Sequence, residues 1–555
     1  MAIKDTLAES VLKGFEALKS KRSAFDTWLQ DITFYILPEY EAQEAGKKDE
    51  AGNFDRPVSS VATESAIKLG GNLYSYTYSQ GDKNLVLRAQ EGEESDEMKG
   101  WLEEASEAVI KAIQNSNFSE VYGEGCTQFG TFGTAPVATE WDEERGELLL
   151  RNHPINGEIY LIEDKDGRVD GLVRKIRYTA EQALEEYGDK LPNKIAQAAN
   201  DPAKMAEMFD FIHMIRRNRR RDRNPKLDDV ANMKYESIHV CVSEKRVVKK
   251  RGYRTFPFAC PRFIKMRNYP NGYGAGHFVV NAVRELNKAE SDFRDIIELA
   301  GKPPVFTPDE DSGGASIQPG RFVFVDMSRG GKPETYRSNA DIGVLHQRIM
   351  QLSAQVERQF FLDVFMALSH YADQSKTLGE AQMIENEKLS SIGPMISRLR
   401  SEFWVPFVER VLDLLIENGR LAQPPGGKLD YKIVYTSRID AQLAAINATE
   451  SIRAINEAAQ LLGLAQDSPD LPRVVKLTEA AQQLLEDRNL PQEFIVSDRE
   501  RKAMDVADAQ AAQAEQAQAM TQQLAGGMDP NKAPEDGSMM QQLNDSAPLP
   551  QAPTV

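Results

Sequence analysis

Six arginines crowd into the stretch "IRRNRRRDR": Arg216, Arg217, Arg219, Arg220, Arg221 and Arg223. Guanidinium groups set this close repel one another unless phosphates or carboxylates neutralise them, so the run points to an anionic partner. DNA phosphates, an acidic neighbouring subunit and a solvated loop all stay open as its surroundings. The glycines of "NYPNGYGAGHF" (Gly272, Gly274, Gly276) precede a helical pattern and could form an anion-binding nest, with a flexible turn into that helix as the plainer reading. The six histidines (His153, His213, His239, His277, His346, His370) show no ligand spacing, so no metal site is expected. Adjacent carboxylates such as Glu103 with Glu104, or Asp309 to Asp311, suit solvated faces better than acid-base work. No G-x-x-x-x-G-K-[ST], H-E-x-x-H, G-x-S-x-G or calcium-binding loop occurs, so neither an enzyme nor a cofactor is expected.

The elements that must carry these residues come from a chain of 555 residues, 41% hydrophobic, enough for about two to four domains. Its formal charge of -18 argues against general affinity for nucleic acid, which needs a cationic face to release counterions, although local basic patches are compatible with it. Cys126, Cys241 and Cys260 are too scattered for a disulfide framework or a cysteine zinc site. Apolar runs never reach the length of about eighteen residues that a membrane span needs, and charges interrupt the first apolar positions. Synthesis in the cytoplasm, with no membrane contact, is expected.

Leu12, Phe15, Leu18, Phe25, Trp28, Leu29 and Ile32 predict one or two amphipathic helices over 1–40, stopped by Pro38. "SSVATESAIKLGGNLYSYTYS" and "EMKGWLEEASEAVIKAIQNSNF" read as helices flanking the short apolar "NLVLRA". From about 120, with "CTQFGTFGTAPV", short apolar runs divided by turn residues predict antiparallel strands, and a second strand region spans Ser237 to Met266. Two long helical stripes follow: Phe278, Ala282, Leu286, Ala289, Phe293, Ile296 and Ala300 over 277–300, and Leu345, Ile349, Leu352, Val356, Phe360 and Val364 over 341–365. Neither has a glycine or proline break past its first turn. The Pro/Gly-rich 303–340 between them reads as a small strand-bearing subdomain at the tip of a helical hairpin. Short helices are expected from Gly419 to about 496, then an Ala/Gln-rich tail, disordered past Gly526. The fold class is α+β, mainly helical.

"TLGEAQMIENEKLSSIGPMISRLRSEFWVPFVERVLDLLIENG", 377–419, reads as one helix holding Gly393-Pro394 and Pro406. Proline removes a backbone donor and clashes with the preceding turn, so a sharp kink is expected at Pro394 and a gentler one at Pro406, with two or three separate helices as the plainer reading. Ile392, Met395, Leu399, Phe403, Phe407 and Val411 keep one side apolar throughout.

Four segments, in order, resemble the portal proteins, the head-to-tail connectors of T7-like short-tailed bacteriophages. They are "FGTFGTAPVATEWDE" with "DKDGRVDGLVRKIRYTAEQALEEYG"; "FPFACPRFIKMRNYPNGYGAGHFVVNAVRELNKAE"; "TLGEAQMIENEKLSSIGPMISRLRSEFWVPFVERVLDLL"; and "YTSRIDAQLAAINATESIRAINEAAQLL". The resemblance implies a portal fold with wing, stem, clip and crown arranged as a ring around an axial channel. The wing takes 1–275, the stem helices 276–302 and 341–365, the clip 303–340, the tunnel loop 366–376, the kinked return to the wing 377–425, the crown 426–496 and the tail 497–555. It implies DNA-facing His370 and Lys376 on the tunnel loop and docking through Asp309, Glu310 and Asp311 on the clip. Implied partners are further copies of the chain in a dodecamer, double-stranded DNA, the terminase large subunit, the major capsid protein and tail adaptor or nozzle proteins. The implied place is the portal vertex of the virion, and the host cytoplasm during assembly. A scaffolding or adaptor protein of the head-tail junction, without a DNA channel, is the alternative.

Overall fold

The computed structural model describes residues 6–40, 57–80, 84–89, 96–220, 229–267, 269–308, 319–325, 334–335, 341–369, 392–427 and 431–436. The N-terminal stripe folds as a single helix, α1 (Thr6–Tyr35), about 45 Å long, and it serves two cores. Its first half lays Ala8, Val11 and Phe15 against one face of a sheet; its second half sends Phe25, Leu29 and Ile32 into the main core.

Helix α2 (Val61–Thr77), strand β1 (Leu85–Ala89) and helix α3 (Asp96–Gln114) follow as read. The next stretch corrects the reading: Phe118–Phe132 is a helix, α4, where turn residues predict strands. Its glycines are packing devices. A Cβ on Gly70 of α2 would lie 2.1 Å from Thr127 Oγ1, and one on Gly130 of α4 would lie 2.8 Å from Leu69 Cδ2. The close crossing of the two helices offsets the backbone entropy that glycine costs in a helix. Gly133 then ends α4 at φ +79, and a Cβ there would fall 2.3 Å from the backbone nitrogen of Gly274. Gly272, Gly274 and Gly276 meet Gly133 and Thr131 backbone atoms just as closely. Both the anion nest and the flexible turn therefore give way to a fixed seam where two backbones touch.

Strands β2 (Val137–Asp142) and β3 (Glu147–Asn152) form a hairpin. Strands β4 (Ile159–Glu163) and β5 (Val169–Thr179) begin a second sheet, which resumes after α5 (Ala180–Tyr187) and α6 (Asn193–Ala199) with β6 (Met208–Arg217), β7 (Tyr235–Cys241) and β8 (Arg246–Tyr253). All five pair in sequence order as an antiparallel meander. Helix α1 covers one face, on Tyr160, Val173, Ile212 and Ile238; α5 and α6 cover the other, on Phe211, Cys241 and Val248. Strand β9 (Phe258–Ala259) joins β2, and β10 (Ile264–Lys265) pairs with β11 (Gly272–Tyr273).

Helix α7 (Ala275–Gly301) leads to β12 (Val305–Pro308), β13 (Phe322–Val325) and β14 (Glu334–Thr335), a three-stranded sheet with β12 in the middle, and α8 (Ile342–Gln359) returns. The buried face of α7 at its base is Val279, Ala282, Val283 and Leu286; Phe278, which the spacing puts in the stripe, is 49% exposed. The second stripe is broken: α8 stops at Gln359 and α9 (Leu362–Ser369) starts two residues after Phe360, with Phe361 at φ +58. Phe360 is fully buried, and the Phe361 ring lies 5.9 Å from that of Phe263. Sending two consecutive aromatic rings into different parts of the core forces the helix to stop, and no glycine or proline marks the place. Met366–Ser369, where the sequence pattern fails, are the end of α9. The chain is next described from Ile392, helical through a π turn at Arg400–Trp404 into α10 (Val405–Glu417). Strand β15 (Tyr431–Tyr435) then pairs antiparallel with β1, so a strand stands where short helices are predicted.

Candidate docking and channel surfaces

At its base the α7–α8 hairpin closes on itself through Leu286, Leu352 and Val356, all nearly inaccessible. Asn287 ends that closed part. Its Oδ1 accepts the Ser59 backbone N–H at 3.0 Å and its amide donates to Val283 O at 3.0 Å, while Ser59 Oγ donates to Glu290 at 2.8 Å. Beyond it the apolar stripe continues without cover among the described residues. Val58, Phe293, Ile297, His346 and Ile349 line an open groove of about 620 Å³. Ile297 is 46% exposed, and Val344 and Met350 on α8 are 63% and 60% exposed. The outer half of α7 also carries Glu290, Asp292, Asp295 and Glu298 against Lys288 and Arg294. An exposed apolar stripe rimmed by charge is the composition of an interaction surface.

The arginine run begins inside a β-hairpin. Arg216 and Arg217 end β6, and Arg216 Nε lies 2.5 Å from Glu236 Oε1, its partner in register on β7. Its first charge is thus neutralised by a carboxylate of the same chain, which the three sequence readings leave out. Arg219 and Arg220 follow the strand, with the Arg220 backbone N–H donating to Asn218 Oδ1 at 3.2 Å. Arg221 and Arg223 lie outside the described residues, as do His370, Lys376, Asp309, Glu310 and Asp311.

Gly393 and Pro394 are helical at the edge of the described residues, so the bend expected there has no described chain before it. At Pro406 the helix answers with a wide turn instead of a break: the Val405 N–H donates to Arg400 O, five residues back. Widening the turn makes room for the proline ring beside the carbonyl four residues earlier. The six apolar positions from Ile392 to Val411 are all buried on this path. The π turn also presents Glu402, which grips Arg262: Nε to Oε2 at 2.9 Å and Nη2 to Oε1 at 2.7 Å, with Nη1 reaching Glu163 at 2.5 Å. Arg262 is 2% exposed, and this bidentate pair, with Glu163 of β4, ties the π-turned helix to the sheet. Nothing in the local sequence marks the pair, since its members are 140 positions apart.

Four histidines are held neutral in the fold. Burial, then the Arg174 guanidinium, holds His153 down to about 3; burial, then Lys249, does the same for His239. Burial, then His239, depresses His213 strongly, and burial brings His277 to about 4. Among the described residues no group of three or more His, Cys, Asp or Glu could hold a metal ion, and no helix is long and apolar enough to cross a membrane.

Residues 8–496 match the family described as bacteriophage head to tail connecting protein. Over 457 residues the chain is 24% identical to the "Probable portal protein" of Bordetella phage BPP-1, covering 80% of each. It is 23% identical over 540 residues to the "Portal protein" of Salmonella phage epsilon15, covering 94% of this chain and 95% of that one. The family match takes in the closed sheet, the open hairpin, the insert at its tip and the π-turned helix together, and the chain belongs to the bacteriophage head to tail connecting protein family.

Proposed function

We propose that this chain is a portal subunit: copies of it form a ring at one capsid vertex, and the axial channel passes double-stranded DNA during packaging, retains it and releases it at ejection. The observation that carries the reading is the family match over nearly the whole chain, with relatives named as portal proteins. The α7–α8 hairpin supports it, because among the described residues its apolar stripe stays open beyond Asn287, as a subunit awaiting its neighbours would leave it. In this reading the hairpin is the stem, the β12–β14 insert the clip, the sheet with its helices the wing, 366–376 the tunnel loop and 426–496 the crown. The closed ring is a dodecamer. His370 and Lys376 approach DNA, and Asp309, Glu310 and Asp311 meet first the terminase large subunit and then the tail adaptor or nozzle. The major capsid protein holds the wing. The chain acts as a structural conduit of the virion, assembled in the host cytoplasm, and not as an enzyme; terminase supplies the energy. A chain of net charge -18 suits a channel through which DNA slides, since every phosphate contact adds affinity and so friction. Electron-microscopic class averages of the purified chain should show rings with a central hole. Monomers or rods at the same concentration would overturn the ring.

A further inference from the structure

Strands β5 to β8 pair so that Arg174 faces His213, His213 faces His239, and His239 faces Lys249. Four basic side chains thus stand in one row across the sheet. They touch: Arg174 Nε–H donates to His213 Nδ1 at 3.1 Å, and the His213 and His239 rings stack with centroids 3.9 Å apart. Arg174 Nη1 also bonds His153 Nε2 at 2.6 Å, His213 Nε2 meets Ser237 Oγ at 2.9 Å, and Tyr187 Oη meets His239 Nδ1 at 3.1 Å. Like charges directly opposite across strands repel, so the row carries charge at its ends and keeps neutral imidazoles between them.

The two ends differ. At one, Glu186 of α5 lies 2.5 Å from Lys249 Nζ. At the other, Arg174 has no carboxylate within ion-pair distance among the described residues. The neighbouring Lys175 is held by Glu158 and Asp210 at 3.1 and 3.0 Å, and Arg177 by Asp210 at 3.0 Å. Arg174 lines an open cleft of about 380 Å³ with Arg151, His153, Glu158, Lys175 and Arg177; the Glu158 carboxylate is taken up by Lys19 and Lys175 at 2.8 and 3.1 Å, and Arg151 reaches Glu140 only at 3.9 Å. The Glu140 carboxylate attracts Arg174 only from beyond ion-pair distance; a largely buried guanidinium without a direct ion pair is costly, and its fork of donors matches an oxyanion.

We infer that this cleft is an oxyanion site, in which a phosphate or carboxylate group seats against Arg174, with Arg151 at the rim, and balances that end of the row as Glu186 balances the other. The inference does not depend on whether copies form a ring. Calorimetric titration of the full chain at pH 7 and constant ionic strength, with inorganic phosphate in one arm and acetate in the other, tests it. Saturable binding should weaken at least about tenfold in Arg174→Gln, the loss of a charged hydrogen-bonding group, and stay unchanged in Lys250→Gln, an exposed cation of the same sheet outside the cleft. Tighter binding of phosphate assigns a phosphoryl ligand, and tighter binding of acetate assigns a carboxylate. Should Arg174→Gln fail to fold, Arg151→Gln provides the same test from the rim. No saturable binding of either ion, or binding that neither arginine variant weakens, overturns the site.

Discussion

Both faces of the five-stranded sheet are covered by helices of the same chain, whereas among the described residues the α7–α8 hairpin is covered only as far as Asn287. Phe211, Ile238, Val240 and Cys241 in the sheet reach 0% exposure; Ile297 on the hairpin stays at 46%. The two regions have the same kind of apolar patterning and opposite fates for it. A helical stripe reports that a face will be covered, and says nothing about whether the cover comes from the same chain. The sheet carries the stability of the protomer, and the outer hairpin, in the proposed ring, carries its association.

Acid should separate the two most strongly. His153 and His239 titrate near 6.5 when unfolded and near 3 when folded, so below about 6.5 the unfolded chain binds more protons. The stability these rings contribute is complete above that pH and is lost as pH falls toward 3, at about 1.4 kcal/mol per pH unit for each ring. Denaturant melts from pH 7 to 4 should fall at least that steeply, and His153→Gln with His239→Gln should reduce the slope to the share left by His213 and His277. A native chain with a flat profile would mean that water reaches the rings. Next in size, Phe211→Ala in the closed face of the sheet should cost about 3–5 kcal/mol in urea melts. A loss under about 1 kcal/mol would make that face as loosely packed as the hairpin tip. Smallest for the protomer, Ile297→Ser should change its stability by no more than about 0.5 kcal/mol, yet lower the fraction of oligomer in sedimentation velocity. If it unfolds the protomer and leaves association intact, the tip is core and the contrast between the regions fails.

Helices with one unbroken stripe were legible in the sequence: α1, the α7 arm of the hairpin and α8 as far as Gln359, and the six positions from Ile392 to Val411, these six all buried. What escaped depends on partners distant along the chain. Gly130 looks like a turn signal until Leu69 is brought against it. Phe361 breaks a helix because Phe263 and the core claim neighbouring rings on different sides. The row from Arg174 to Lys249 exists only in the register of four strands, and no one strand contains it. Of the candidate site residues, the start of the arginine run could be placed, and its neutralising Glu236 is likewise a cross-strand partner. The tunnel-loop and clip candidates fall outside the described residues.

The pairing of β1 with β15 sets a timetable for synthesis. Leu85 faces Tyr435, and the Trp101 indole N–H donates to Ala422 O at 3.0 Å, so early elements rest on late ones. With about 350 residues between the paired strands and about 5–20 residues added per second, β1 waits on the order of 20–70 s for its partner. Through that interval the nascent chain holds a strand edge that other chains on the same message can also satisfy. The speed of translation into β15, and not the stability of the finished fold, therefore sets how long the first core stands open to wrong pairing.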